Sequence, residues 1–173
     1  AYVKKSNYSL NEIIKQSNYE TNNFLFNKKN VTMIRYAAFF GSIQIFNYLL
    51  SKGVELKPFL WLYAIHSNNT EILRILEENH VELPKKITYK RLFKISIKCH
   101  HINISNYILY NYLINSKEEY LGYTLINSLK YYNFVFIQND QIDEALFNYL
   151  CKYDYYILVF ILLITKDIDI NKI

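Results

Sequence analysis

A chain of 173 residues, 51% of them hydrophobic, can bury a sizeable core as one domain or a short repeat array. Three glycines and two prolines are too few for the tight turns of a sandwich or barrel, so the composition points to helices. The formal charge of +5 is spread over short basic pairs (Lys4–Lys5, Lys28–Lys29, Lys85–Lys86 and Lys90–Arg91), which argues for a solvated surface and against nucleic acid as the partner.

Near the N-terminus, Ser9-Leu10-Asn11-Glu12 reads as a capping box ahead of Ile13-Ile14, and predicts a short helix to about Gln16. Residues 17–30 are polar apart from Phe24-Leu25-Phe26, which predicts a loop with an apolar plug. Residues 1–30 together are expected to cap the rest of the chain.

Tyr36 to Leu56 predicts two short helices around a tight turn at Gly41. Laid over residues 63–83, an offset of 27, seven of twenty-one positions are identical without a gap, including Tyr36/Tyr63, Ala37/Ala64, Ile45/Ile72 and Leu49/Leu76. Two further steps of 32 and one of about 22 give five degenerate copies, at roughly 31–57, 58–87, 88–119, 120–141 and 142–173. A small residue recurs where helices must approach closely: Ala37, Ala64, Ser96 and Ser128. Leu150 in the last copy is too large for the same approach. Apolar pairs spaced i, i+1, i+4, i+5 make one wide face on each second helix, which a single helix pair cannot bury alone. The short last step predicts a truncated helix and a local irregularity at 133–141.

These residues resemble the ankyrin repeat. Thr32-Met33-Ile34-Arg35-Tyr36-Ala37-Ala38 looks like its opening, and Gly41 like its turn. Ile45-Phe46 with Leu49-Leu50 is similar to its second helix, and Gly53-Val54-Glu55-Leu56 to its exit. Asp167 to Asn171 resembles that exit more closely still. The opening apolar position holds Ile34, Trp61, Phe93, Leu125 and Phe147. The resemblance covers about 31–173 and is closest to the divergent ankyrin-repeat families expanded in some protists. It implies an all-α solenoid, and a non-enzymatic protein–protein interaction module presenting a rigid concave face. The 27-residue step is shorter than the usual period, with Pro58 and Pro84 in the region of the projecting finger, so blunt loops are expected there.

The side chains expected to meet a partner are Arg35, Phe39, Phe40, Lys57, His66, Lys98, Lys130 and Tyr131, because they fall at first-helix ends or in loops and vary between copies. The alternative is a basic solenoid that binds nucleic acid or another anionic surface. It requires Lys57, Lys85, Lys86, Lys90 and Arg91 to converge, and binding to fall steeply with salt.

No catalytic constellation, metal site or cofactor is expected. Cys99-His100-His101 tempts as a zinc or thiol–imidazole site. However, adjacent residues diverge, metal ligands keep other spacings, and His100 falls in register with the Gly41 turn. The two cysteines cannot make the disulfide framework of a small secreted domain, so an intracellular, cytoplasmic setting is expected. Tyr155 to Ile164 is the most apolar run. At about half the length a bilayer needs, it reads as a buried helix and not a membrane span. The exit-like segment after it predicts a partly uncovered helix at 155–164, and hence a fragment of a longer array or self-association through that helix.

Overall fold

A computed structural model of the chain describes residues 9–15, 17–28, 30–113, 117–137 and 144–165. Their regular structure is helical. Among them β pairing is confined to an isolated antiparallel bridge between Ile13 and Thr32. The chain divides into two compact units, residues 1–88 and 89–173.

The first unit holds α1 (Asn23–Phe26), α2 (Met33–Phe39), α3 (Ile43–Ser51), α4 (Leu60–His66) and α5 (Thr70–Glu78). The second holds α6 (Tyr89–Lys98), α7 (Ile102–Ile108), α8 (Lys117–Lys130), α9 (Glu144–Lys152) and α10 (Tyr156–Thr165). A π-helical turn, Leu109–Leu113, continues α7, and a 3₁₀ turn spans Phe134–Phe136.

Successive helices pack in pairs (α2 on α3, α4 on α5, α6 on α7, α9 on α10), and a backbone turn joins most of them. Gly41, His100, Tyr132 and Asp154 share one repeat position, and all have left-handed φ, at 66°, 58°, 56° and 59°. Each ends the first helix of its copy in the same way. The N–H of the residue after it bonds the carbonyl five residues back: Ser42 to Ala37 (2.9 Å), His101 to Ser96 (3.0 Å), Asn133 to Ser128 (2.9 Å) and Tyr155 to Leu150 (2.9 Å). That is the Schellman closure, which satisfies carbonyls the helix end leaves open. Gly53 (φ 78°) and His80 (φ 52°) repeat it at the ends of α3 and α5. Ala64 departs: its carbonyl accepts from the Ser67 N–H (3.1 Å) and hydroxyl (2.8 Å), giving a tighter exit from α4.

The recurrent small and apolar positions form the core. Ala37, Ala64, Ser96 and Ser128 are buried, as is the larger Leu150, whose backbone still makes the same turn. Ile34, Trp61, Phe93 and Leu125 are buried too, and the Trp61 indole N–H donates to the Val81 carbonyl at 2.8 Å. On α5, Ile72, Leu73 and Leu76 are fully covered, a burial that stabilises by roughly 6 kcal/mol at the usual value per side chain.

A second tie sits one residue past the turn. The Asn69 amide donates to the Gly41 carbonyl (3.1 Å), that of Asn133 to the Ile97 carbonyl (3.0 Å), and the Tyr155 hydroxyl to the Leu129 carbonyl (2.5 Å). Each bond joins one helix pair to the pair before it.

The capping box at Ser9 does not form. The Glu12 N–H bonds the Ser9 carbonyl at 3.0 Å, residues 9–12 make a turn, and residues 13–15 are not helical. Instead Ile13 bridges Thr32, and the Ile14 N–H reaches the Val31 carbonyl at 2.7 Å. A one-turn helix carries the full nucleation cost for few bonds, so long-range backbone pairing prevails. The plug is a helical turn, α1, capped by the Asn22 side chain and anchored by buried Leu25. Loops 52–59 and 79–88 carry no strands, as blunt loops should. The stretch after Tyr132 does shorten to a 3₁₀ turn, but residues 138–143 lie outside the described residues. So do Lys4–Lys5, Gln16, Lys29 and the exit-like segment Asp167 to Asn171.

Candidate interaction surface

The residue that ends each first helix occupies one repeat position: Phe39 in α2, His66 in α4, Lys98 in α6 and Lys130 in α8. The turn recurs after Phe39, Lys98 and Lys130, His66 precedes the tighter exit, and the two units give the row different chemistry.

In the first unit the row is aromatic. The Phe39 and His66 rings lie 5.3 Å apart, Phe39 meets Phe40 edge-on at 5.0 Å, and Phe40 contacts Tyr36 at 4.8 Å. The Arg35 guanidinium sits 5.8 Å from the Tyr63 ring. Burial pushes the Tyr63 phenol above its ordinary value, and Arg35 pulls against that shift. Phe39 is only 7% exposed, whereas Phe40 is 54% exposed.

What covers Phe39 is the chain's own N-terminal segment. The Phe24 ring stacks on Phe39 (5.6 Å, 11°), meets Tyr63 edge-on (5.2 Å) and lies 4.1 Å from His66. The Tyr36 hydroxyl donates to Glu20 at 3.3 Å, and Arg35 donates to the Asn30 carbonyl. Burial, and behind it the Glu20 carboxylate, raise the Tyr36 phenol. Reading the repeats alone misses this contact. Its only signal is the Phe24-Leu25-Phe26 triplet in an otherwise polar stretch, which shows that something must be covered but not what.

In the second unit the row is cationic. The ammonium groups of Lys98 and Lys130 lie 6.0 and 5.9 Å from the ring of Tyr131, so all three expected contact residues of this unit come together. Both lysines are exposed and Tyr131 is half-buried. Lys57 sits in the loop after α3 and pairs with Glu55 at 3.6 Å, an exposed ion pair that contributes little. Of the other basic residues, Lys85, Lys86 and Arg91 are exposed, and Lys90 lies 4.6 Å over the Tyr123 ring.

His100 is exposed and is the left-handed turn residue itself. Cys99 is half-buried; burial pushes its thiol up against the pull of Lys98, away from the thiolate that a nucleophile needs. Among the described residues no three His, Cys, Asp or Glu side chains gather as metal ligands, and no helix is long and apolar enough to cross a membrane. Compared with protein-family models, with curated proteins and with solved structures, the chain matches none.

Proposed function

We propose that the chain is a non-enzymatic protein–protein interaction module, a solenoid of ankyrin-like helix pairs that works inside the cell, in the cytoplasm. The observation that carries the reading is the row at the first-helix ends. The turn that recurs at Gly41, His100 and Tyr132 places a residue that varies between copies, Phe39, Lys98 or Lys130, at the end of the first helix. In the second unit this leaves the recurrent packing positions buried and Lys98 and Lys130 exposed, as a preformed recognition surface needs, with little ordering cost left to binding. Phe40 supplies an exposed aromatic of the kind that anchors interfaces, and Lys98, Lys130 and Tyr131 a cation–aromatic patch suited to an acidic partner.

The test is affinity capture with the 173-residue chain. Phe40→Asp and the pair Lys98→Glu/Lys130→Glu should each lose proteins retained by the wild type, while Glu71→Lys, on the exposed side of α5, should not. Identical capture by all four proteins refutes the assignment. Retention of nucleic acid that collapses with added salt would favour the basic-solenoid alternative.

A second reading, self-association through α10, is favoured by the apolar side chains that this helix leaves exposed.

A further inference from the structure

The apolar surface of α10 is not on the side that stacked helix pairs bury. In α3, α7 and α10 the helix starts two residues after the left-handed turn residue, at Ile43, Ile102 and Tyr156, so positions compare one to one. The central packing position is apolar and buried throughout: Leu49, Leu76 in α5, Ile108 and Leu162. Leu158 and Val159 also join the core of their unit. The outward positions are where α10 differs. They hold Gln44, Asn47 and Ser51 in α3, and Glu71, Arg74 and Glu78 in α5, all exposed. In α7 and the turn after it they hold Asn103, Asn106 and Tyr110. In α10 they hold Ile157, Phe160 and Ile164, which are 57%, 64% and 67% exposed. Stacking does not cover these positions: α3 is followed by a packed helix pair, and its outward residues stay in water.

The stripe has the i, i+3, i+7 spacing of a helix–helix seam, and Ile161 widens it. It also reads alike in both directions. About a two-fold axis between residues 160 and 161, Ile157 faces Ile164 of a second copy and Phe160 faces Ile161. The stripe carries no charge and no hydrogen-bonding group that would select a polar partner. Together with Tyr156 and Leu163 these residues expose about 700 Å² of largely apolar surface, at ~200 Å² for a fully exposed residue of this size. That exceeds the largest apolar patch usual on a monomer, roughly 300–600 Å². It approaches the ~800 Å² per partner of a stable interface. An open groove of about 630 Å³ takes in Ile157 and Phe160 of the stripe together with Leu150, Cys151, Asp154 and Leu163, which leaves room for side chains from an opposing helix.

We infer that two copies of this chain pair through antiparallel α10 helices about this axis, forming a closed two-fold dimer. The inference rests on the self-association reading and is independent of the first-helix row, so either can fail alone. Sedimentation velocity of the 173-residue chain at 1–100 µM should show a species of twice the single-chain mass. Phe160→Glu should return it to a monomer with unchanged helical circular dichroism, because Phe160 is exposed. Asn47→Glu, at the same position of α3, should remain dimeric. In a Cys99→Ser/Cys151→Ser background, Ile161→Cys lies beside the axis and should cross-link to a covalent dimer under mild oxidation, whereas Asn47→Cys should not. A monomeric wild type at 100 µM, a Phe160→Glu dimer, or a mass that keeps climbing with concentration would each overturn the inference.

Discussion

Ser96 and Ser128 occupy the same repeat position, are both fully buried, and should respond to alanine with opposite sign. The Ser96 hydroxyl bonds the Phe93 carbonyl at 2.7 Å and shares a 2.8 Å bond with the Ser105 hydroxyl. One repeat further on, the counterpart of Ser105 is Ile137, and the Ser128 hydroxyl has no hydrogen-bond partner among the described residues. An unsatisfied buried hydroxyl costs about 1–3 kcal/mol, and alanine fills nearly the same space. Alanine is also the better helix former, by a few tenths of a kcal/mol. Ser128→Ala should therefore stabilise the second unit by about 1–2 kcal/mol. Ser96→Ala forfeits the bond to the Phe93 carbonyl and turns the Ser105 proton to its alternative acceptor, the His101 carbonyl at 3.0 Å, and should cost ~1 kcal/mol. Urea unfolding followed by far-ultraviolet circular dichroism reads both as midpoint shifts at constant slope. A loss of stability in Ser128→Ala as large as that in Ser96→Ala would refute the reasoning, because it would mean that Ser128 is satisfied.

The turn residues give two more tests. A Cβ on Gly41 would lie 3.2 Å from Asn69 Cβ and 3.3 Å from Ser67 Cβ, whereas one on Gly53 meets nothing within 4 Å, and both residues have left-handed φ. Gly53→Ala should cost only the conformational ~1 kcal/mol, and Gly41→Ala about twice that, read as thermal midpoints. Equal shifts would contradict the close approach at Gly41. His100→Gly should gain ~1 kcal/mol, since an exposed side chain in the left-handed region is replaced by the residue that prefers it; a loss in the same melt would show His100 to have a role beyond the turn.

Much of the architecture was legible because packing leaves a periodic trace. The offsets of 27, 32, 32 and 22 come from small and apolar residues. Gly41, His100, Tyr132 and Asp154 share one backbone conformation at those spacings, although only one of them is glycine. Phe39, Lys98 and Lys130 each end a first helix because the same turn comes two residues later. The N-terminal segment carries no such trace. The Ser9 capping box is a valid local signal, yet a local signal cannot register that Ile13 has Thr32 to pair with, or that Phe24 has Phe39, Tyr63 and His66 to cover.

The sequence shows that the chain is helical and which small and apolar positions recur along it. Those properties depend on neighbours a few residues away or on a period the chain repeats. Only the tertiary structure decided that the aromatic row is covered by the chain's own Phe24, that Ser128 lacks the partner Ser96 has, and that the apolar residues of α10 lie on its outward side. Each of these depends on which distant groups meet in space.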